Sequence, residues 1–281
     1  MFKSVGVVSR IDRKQAMQLA SNIVDALQTR KLKVQLEPSL AKHMKRPDLA
    51  VSVEKMKVDL LVTVGGDGTI LRTCLKLPKP QPPILAINMG ARGFLAEVAP
   101  KNALAALNQT LKGDYKLERT TKLSSHLGKK RLPDALNEVS ITSLAPAKLL
   151  KMRIWKDSEL IGDCQSDGAV VASQTGSTGY SLSAGGPVID PDVKGFVFTP
   201  ITPLTVFHPI VFSANSTIHV ELRRPRKAII VVDGHFQTET TPELSRITIA
   251  KSEHESNFIR FTGGFYDRLK GRLLFCEGRR P

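Results

Sequence analysis

The sequence predicts an α/β domain followed by an all-β sandwich, on three observations. Up to about Gly113, apolar β-branched runs alternate with helix-compatible stretches. Beyond that point the helical period disappears, and short alternating segments separated by turn residues take over. Two glycine-rich turns, one in each part, follow apolar runs. Strand–helix alternation argues for a parallel sheet covered on both faces. Many short strands argue for two packed β-layers.

The elements follow in order. Val5 to Ser9 reads as a buried strand and Lys14 to Arg30 as an amphipathic helix, with Met17, Ala20, Ile23, Val24 and Leu27 on one face. Leu32–Leu36, Val58–Val64 and Ile84–Asn88 read as further strands, and Thr69–Leu77 as a helix stopped by Pro78. Pro100–Leu111 reads as a helix with proline in its first turn. This is a Rossmann-like parallel sheet, so ligands are expected beyond the carboxyl ends of its strands. In the second part, Leu149–Trp155 and Leu160–Cys164 flank a turn, as do Ala228–Val232 and Phe236–Glu239, the latter around Asp233-Gly234. Ile218–Leu222 and Ile247–Ala250 are two more strands, and Phe265–Phe275 is a last helix. The predicted domains are 1–113 (α/β), 114–259 (β-sandwich) and 260–281, a terminal helix packing back on the first.

Composition narrows the function. The chain has 281 residues, which suggests about two domains. Its three cysteines, Cys74, Cys164 and Cys276, are isolated, so a reducing cytoplasm is expected. The first residues are too briefly apolar for a signal peptide, and no segment approaches a membrane span. The net charge of +15 invites a nucleic-acid reading, but the basic residues are scattered and aromatics are few. A positive potential that attracts a polyanionic nucleotide or polyphosphate fits as well.

The first glycine-rich turn is Gly65-Gly66-Asp67-Gly68-Thr69. A tight strand-to-helix turn aims free N–H groups at one point and attracts phosphate. Asp67 is out of place in a pure anion cradle, which suggests a metal–phosphate site or a general base, hence phosphoryl transfer. A plain β-to-α turn with Asp67 as helix cap is the ordinary alternative. No Gly-Lys-Ser/Thr follows, as a Walker loop requires, and Leu71 replaces the third glycine of a dinucleotide fingerprint. The stretch Asn88–Leu95 starts at another strand end; Phe94 packs in the core or stacks on a base. Asn137 offers a donor and an acceptor to a base edge, and Glu138 accepts from ribose hydroxyls or binds a metal, unless the pair is only a solvated strand end.

The second segment, Asp167 to Pro187, carries Thr175, Ser177, Thr178, Tyr180, Ser181 and Ser183 among glycines. Small residues admit a ligand to the backbone, and the hydroxyls can satisfy its polar groups. Ser177 lacks a nucleophile elbow and a histidine partner. The histidines show no zinc spacing, and His235 follows an exposed turn.

Together these residues resemble the NAD kinase family in its archaeal or bacterial style. The match runs in order through Gly65–Thr69, Asn88–Phe94, Asn137-Glu138, Asp167-Gly168, Thr175–Pro187, Asp233-Gly234 and the closing Phe265-Tyr-Asp-Arg-Leu. The resemblance implies phosphorylation of the adenosine-ribose 2′-hydroxyl of NAD, giving NADP, with ATP or polyphosphate as donor and Mg²⁺ or Mn²⁺ as divalent cation. It implies that Asp67 takes the hydroxyl proton or helps hold the metal. Gly65, Gly66, Gly68 and Thr69 meet the donor phosphates, and Arg72 pairs with a phosphate. Asn137 and Thr175 address the adenine, Glu138 the ribose, and Asp167 the nicotinamide half. Thr178, Gly179, Tyr180, Ser181, Leu182 and Ser183 line the dinucleotide, and Phe94, Lys148 and His235 approach it. Gly179 stands where relatives usually have alanine, and His235 where they often have glutamine. The resemblance also implies a homo-oligomer, dimer or tetramer. Two other readings remain: a lipid or sugar kinase sharing the first turn, and a non-catalytic nucleotide- or nucleic-acid-binding module.

Overall fold

The computed structural model describes residues 2–90, 93–145, 147–225, 227–261 and 265–270. In chain order the elements are β1 (Ser4–Ser9), α1 (Lys14–Thr29), β2 (Lys33–Leu36), α2 (Pro38–His43), β3 (Leu60–Gly65), α3 (Asp67–Lys76), β4 (Ile84–Asn88) and α4 (Ala103–Lys112). There follow β5 (Lys116–Leu127), β6 (Lys130–Arg131), β7 (Glu138–Ser143), β8 (Leu150–Lys156), β9 (Glu159–Ser166), β10 (Gly168–Ser173), α5 (Tyr180–Ser183), β11 (Gly195–Ile201) and β12 (Ile210–Ser213). The last are β13 (Ile218–Arg224), β14 (Ala228–Val232), β15 (Phe236–Glu239), β16 (Arg246–Arg260) and α6 (Phe265–Leu269). Two compact units result: residues up to Arg119 with the segment from Ser256 onward, and residues 120–255.

The first unit is α/β. Its strands run parallel in the order β2-β1-β3-β4, and the end of β16 joins through Phe258 opposite Ile84. Ala16, Ala20, Ile23, Val24 and Leu27 bring α1 onto the sheet, where Val5, Val7, Val62, Val64, Leu85 and Ile87 meet it. Their three- and four-residue spacing is the reason this stretch is helical and sits on a sheet. Met17, expected on that face, is only half-buried; Ala16 takes its place. The other face is closed near Gly6, whose missing side chain leaves room for Met56, Val58 and Leu61. The stretch from Pro100 opens with a 3-10 turn before α4, which Gly113 ends at φ 85°. The predicted last helix is present as α6; its residues 271–281, and Cys276 with them, lie outside the described residues.

The second unit is an antiparallel β-sandwich. One layer has the order β12-β11-β10-β7-β14-β15. The other contains β9-β8-β13 with the first part of β16, and β5 beside it. Side chains alternate as a half-buried layer requires: Val139 and Ile141 of β7 and Ala228, Ile230 and Val232 of β14 are wholly buried. The β14–β15 hairpin turns on Asp233 and Gly234, both left-handed at φ 49° and 68°, the geometry that an Asp-Gly pair favours.

Candidate active site

In the first unit the site begins at the carboxyl end of β3. Gly65 has no alternative, because a Cβ there would stand 2.2 Å from Thr69 Oγ1. Its carbonyl accepts the N–H of Met89 at 2.8 Å, which ties the turn to the segment after β4. Gly66 precedes α3 in extended backbone, and a Cβ there would meet nothing within 4 Å. Open space therefore faces the first turn of α3; the Thr69 N–H already donates to the Gly66 carbonyl at 3.0 Å, and the N–H groups before it are those that a helix start leaves without an intrahelical acceptor. Gly68 is exposed on that turn, and Thr69 is half-buried.

Asp67 does not cap its own helix. Its carboxylate accepts the backbone N–H of Phe94 at 2.5 Å, of Leu95 at 3.1 Å and of Ala96 at 3.3 Å. An ionised carboxylate can accept about four hydrogen bonds, so capacity remains on Oδ2. Gly93 makes the approach possible, since a Cβ there would lie 2.8 Å from Asp67 Oδ1. Residues 91 and 92 of this stretch lie outside the described residues.

Phe94 is engaged within the unit. Its ring meets Phe265 of α6 edge-on at 5.1 Å, and the Arg268 guanidinium sits over it at 5.5 Å. Arg268 donates to Glu118 at 3.1 Å; Arg260 forks onto the same carboxylate at 3.0 and 3.2 Å and donates to the Leu95 carbonyl at 2.7 Å. Burial pushes the Glu118 carboxyl up, but Arg260 and Arg268 outweigh it and hold it below its ordinary value. No sequence signal pointed to this cluster beyond the position of Arg268 in the last helix.

Arg72, expected to pair with a phosphate, grips the Glu37 carboxylate through both terminal nitrogens. Glu37 is buried, and a buried acid left alone is costly, so this arginine is held in a structural ion pair.

In the second unit the site gathers where β7 begins and β10 ends. Asn137 and Glu138 are not a solvated strand end: both are partly buried, and Asn137 Oδ1 and Glu138 Oε2 are buried without a hydrogen-bond partner. The Asn137 carbonyl accepts from Ser173 N at 2.8 Å and lies against Gly176, where a Cβ would stand 2.0 Å away. A Cβ on Gly179 would lie 3.4 Å from Glu138 Oε2 and 3.6 Å from Asn137 Nδ2. Small residues thus bring the Thr175 to Gly179 turn onto the two polar side chains. Burial, then the neighbouring Asp233 charge, pushes the Glu138 carboxyl up to about 8.

The hydroxyls divide. Ser181 is fully buried, bonding Thr199 Oγ1 at 2.8 Å. Ser177 donates to the Gln174 carbonyl at 2.6 Å and accepts from Ile189 N at 3.0 Å. Thr178 donates to the Thr175 carbonyl at 2.9 Å. Ser181, expected to line the dinucleotide, instead holds the turn together, because a buried hydroxyl must find partners within the protein. Thr175 and Leu182 are half-buried, and Tyr180 and Ser183 are exposed. His235 is exposed, and its Nδ1 donates to the Asp233 carbonyl at 2.7 Å. Asp167 and Lys148 are also exposed but stand elsewhere. Ala172 pairs with Glu138, so Asp167 lies five residues back along β10, about 17 Å away at ~3.4 Å per residue.

An α/β unit with an acid in a glycine-rich phosphate-type turn, and a β-sandwich presenting unpartnered acceptors beside a second glycine-rich turn, define a two-domain nucleotide kinase class. The family model "ATP-NAD kinase N-terminal domain" matches residues 5–115 and "ATP-NAD kinase C-terminal domain" residues 136–261. The chain belongs to the NAD kinase family. It is 37% identical over 273 residues to the NAD kinase of Methanothermobacter thermautotrophicus, covering 96% of each chain. Against that of Pyrococcus abyssi it is 38% identical, covering 95% of this chain and 98% of the relative. It superposes on the crystal structure of an NAD kinase from Archaeoglobus fulgidus in complex with ATP with a TM-score of 0.80 at 32% identity, covering 95% of this chain and 99% of that one. The fold also matches yeast NADH kinase complexed with NADH, with a TM-score of 0.89. These matches do not favour a lipid kinase, a sugar kinase or a non-catalytic module. Among the described residues no helix is long and apolar enough to cross a membrane.

Proposed function

We propose that this NAD kinase transfers the terminal phosphoryl group of ATP, or of polyphosphate, to the 2′-hydroxyl of the adenosine ribose of NAD. The ribose oxygen forms the new P–O bond, the bond from the terminal phosphorus to the bridging oxygen breaks, and ADP or shortened polyphosphate leaves. The hydroxyl proton passes to Asp67, through the capacity left on Oδ2. Such transfers need mainly positioning and charge stabilisation, so one well-held acid suffices.

The observation that carries the reading is the pair of buried, unpartnered acceptors on Asn137 and Glu138 beside the glycine turn. A buried polar atom without a partner costs free energy, and a ligand's amino and hydroxyl groups relieve it. Asn137 and Thr175 take the adenine and Glu138 the ribose. Thr178, Gly179, Tyr180, Leu182 and Ser183 line the dinucleotide, with Phe94 and His235 near it. Asp167 reaches its nicotinamide half, consistent with its distance from Glu138 along the strand direction, and Lys148 approaches the dinucleotide. Gly65, Gly66, Gly68 and Thr69 cradle the donor; the open space before Gly66 supports this, and the complex of the Archaeoglobus relative with ATP supports ATP as that donor.

A divalent cation, Mg²⁺ or Mn²⁺, belongs to the same reading. A cation that accompanies nucleotide phosphates is usually held by one or two carboxylates together with the phosphates and water. Asp67, where it did not take the hydroxyl proton, would be the carboxylate to hold the cation, which would supply charge neutralisation at the phosphates. Cys74 and Cys164 are buried and far apart in the sequence, a cysteine usage that fits a cytoplasmic enzyme.

The test is an assay with NAD, ATP or polyphosphate, and Mg²⁺ or Mn²⁺, with NADP read by an NADP-specific dehydrogenase. Absence of NADP with every donor and metal rejects the proposal.

A further inference from the structure

Asp233 is 2% exposed, inside the second unit, at the hairpin between β14 and β15. Its carboxylate accepts three successive backbone N–H groups: Leu136 at 2.7 Å, Asn137 at 2.8 Å and Glu138 at 3.0 Å. The contact is reciprocal, because the Asp233 N–H donates to the Glu138 carbonyl at 3.0 Å. On the opposite side Ser173 Oγ donates to the Leu136 carbonyl at 2.6 Å, and Ser173 N donates to that of Asn137. Residues 136–138 are therefore gripped through the main chain, from two strands. Only the side-chain ends of Asn137 and Glu138 keep buried oxygens without partners. Burying a carboxylate is expensive, and a plain hairpin needs no buried acid at this corner.

We propose that Asp233 is a positioning residue for the dinucleotide: by holding three consecutive amides it fixes the direction in which Asn137 and Glu138 present their side chains to the adenosine. This rests on the reading of the preceding subsection. Asp233 touches no reacting atom. Its removal therefore degrades NAD recognition, not the transfer step.

The test measures NAD and ATP kinetics of the full chain for wild type, Asp233→Ala and Asp233→Asn, with amide exchange at residues 136–138. Asp233→Ala should raise KM for NAD about tenfold or more, the loss expected for hydrogen bonds to a buried charged group. kcat at saturating NAD and KM for ATP should stay near wild type. Asp233→Asn should give a smaller rise, because Oδ1 still accepts from Asn137 and Glu138 while the Leu136 N–H loses its acceptor. Exchange at 136–138 should quicken in the same order. If the alanine variant does not fold, the asparagine variant decides alone. A folded variant with wild-type KM for NAD, or with lowered kcat and unchanged KM, overturns the proposal. Wild type that makes no NADP removes the functional reading and this inference with it; wild type that makes NADP alongside unaffected Asp233 variants removes this inference alone.

Discussion

Asp67 and Phe94, 27 positions apart, are joined by a 2.5 Å hydrogen bond from the Phe94 N–H to the Asp67 carboxylate. The acid of the glycine turn is thus held by the loop that follows β4. Asp67→Asn replaces one acceptor oxygen by a donor aimed at a backbone N–H. We expect kcat to fall by about 10²–10⁴-fold, the usual loss on removing a general base. Stability should drop by about 1–3 kcal/mol from the unsatisfied amide. KM for NAD should change little. Steady-state kinetics and thermal unfolding measure both; near-normal turnover would remove Asp67 from the chemistry.

Gly93→Ala separates placement from presence. The acid remains, but the new methyl must displace the Asp67 carboxylate from its 2.8 Å position. We expect kcat to fall by about tenfold or more, because small misplacements are costly in transfer reactions. A variant with wild-type kcat would show that the position of Asp67 is not critical.

Gly65→Ala and Gly66→Ala should behave oppositely. Overlap with Thr69 Oγ1 makes the first a stability defect, about 1–3 kcal/mol as overpacking usually costs. The second meets no protein atom within 4 Å in backbone that any residue adopts. Its unfolding temperature should therefore stay near wild type while KM for ATP rises. An unchanged KM for ATP would show that donor phosphates do not use the space before Gly66.

Glu138 predicts a pH signature. Its folded value lies near 8 against an ordinary 4.5, so between these limits the folded chain holds a proton that the unfolded chain releases. Stability attributable to Glu138 is then greatest below about pH 4.5, falls as pH rises, and is fully lost above about 8. Glu138→Gln should remove this slope. Relative to that variant, wild type should lose on the order of 2–4 kcal/mol across the window in urea titrations at several pH values. Parallel profiles would reject the raised value.

Arg268→Ala should cost about 1–2 kcal/mol, since Glu118 keeps Arg260 but loses one of its two arginines. Because Arg268 also covers the Phe94 ring, kcat should fall several-fold. Arg268→Lys should restore little, as an ammonium cannot reproduce the planar contact with ring and carboxylate. Full rescue by lysine would reduce the role to charge.

Local pattern carried much of the architecture into the sequence. The spacing of Ala20, Ile23, Val24 and Leu27 gives α1, and Asp233-Gly234 gives its hairpin, because both depend on neighbours a few residues away. The glycine turns were legible for the same reason. Long-range partners were not. That Arg72 is spent on Glu37, that Ser181 turns inward to Thr199, and that Asp233 reaches back to residues 136–138 all depend on chain separations no local period encodes. Asn137 and Glu138 were legible as residue types, whereas their burial needed the packing of Gly176 and Gly179.

Both anchoring acids accept main-chain N–H groups. Leu95, Ala96 and Leu136 should therefore accept diverse replacements in a saturation screen as far as the anchors are concerned, with one exception. Proline alone deletes the amide hydrogen, so those three sites should share a proline-specific intolerance that no hydropathy or volume scale foresees.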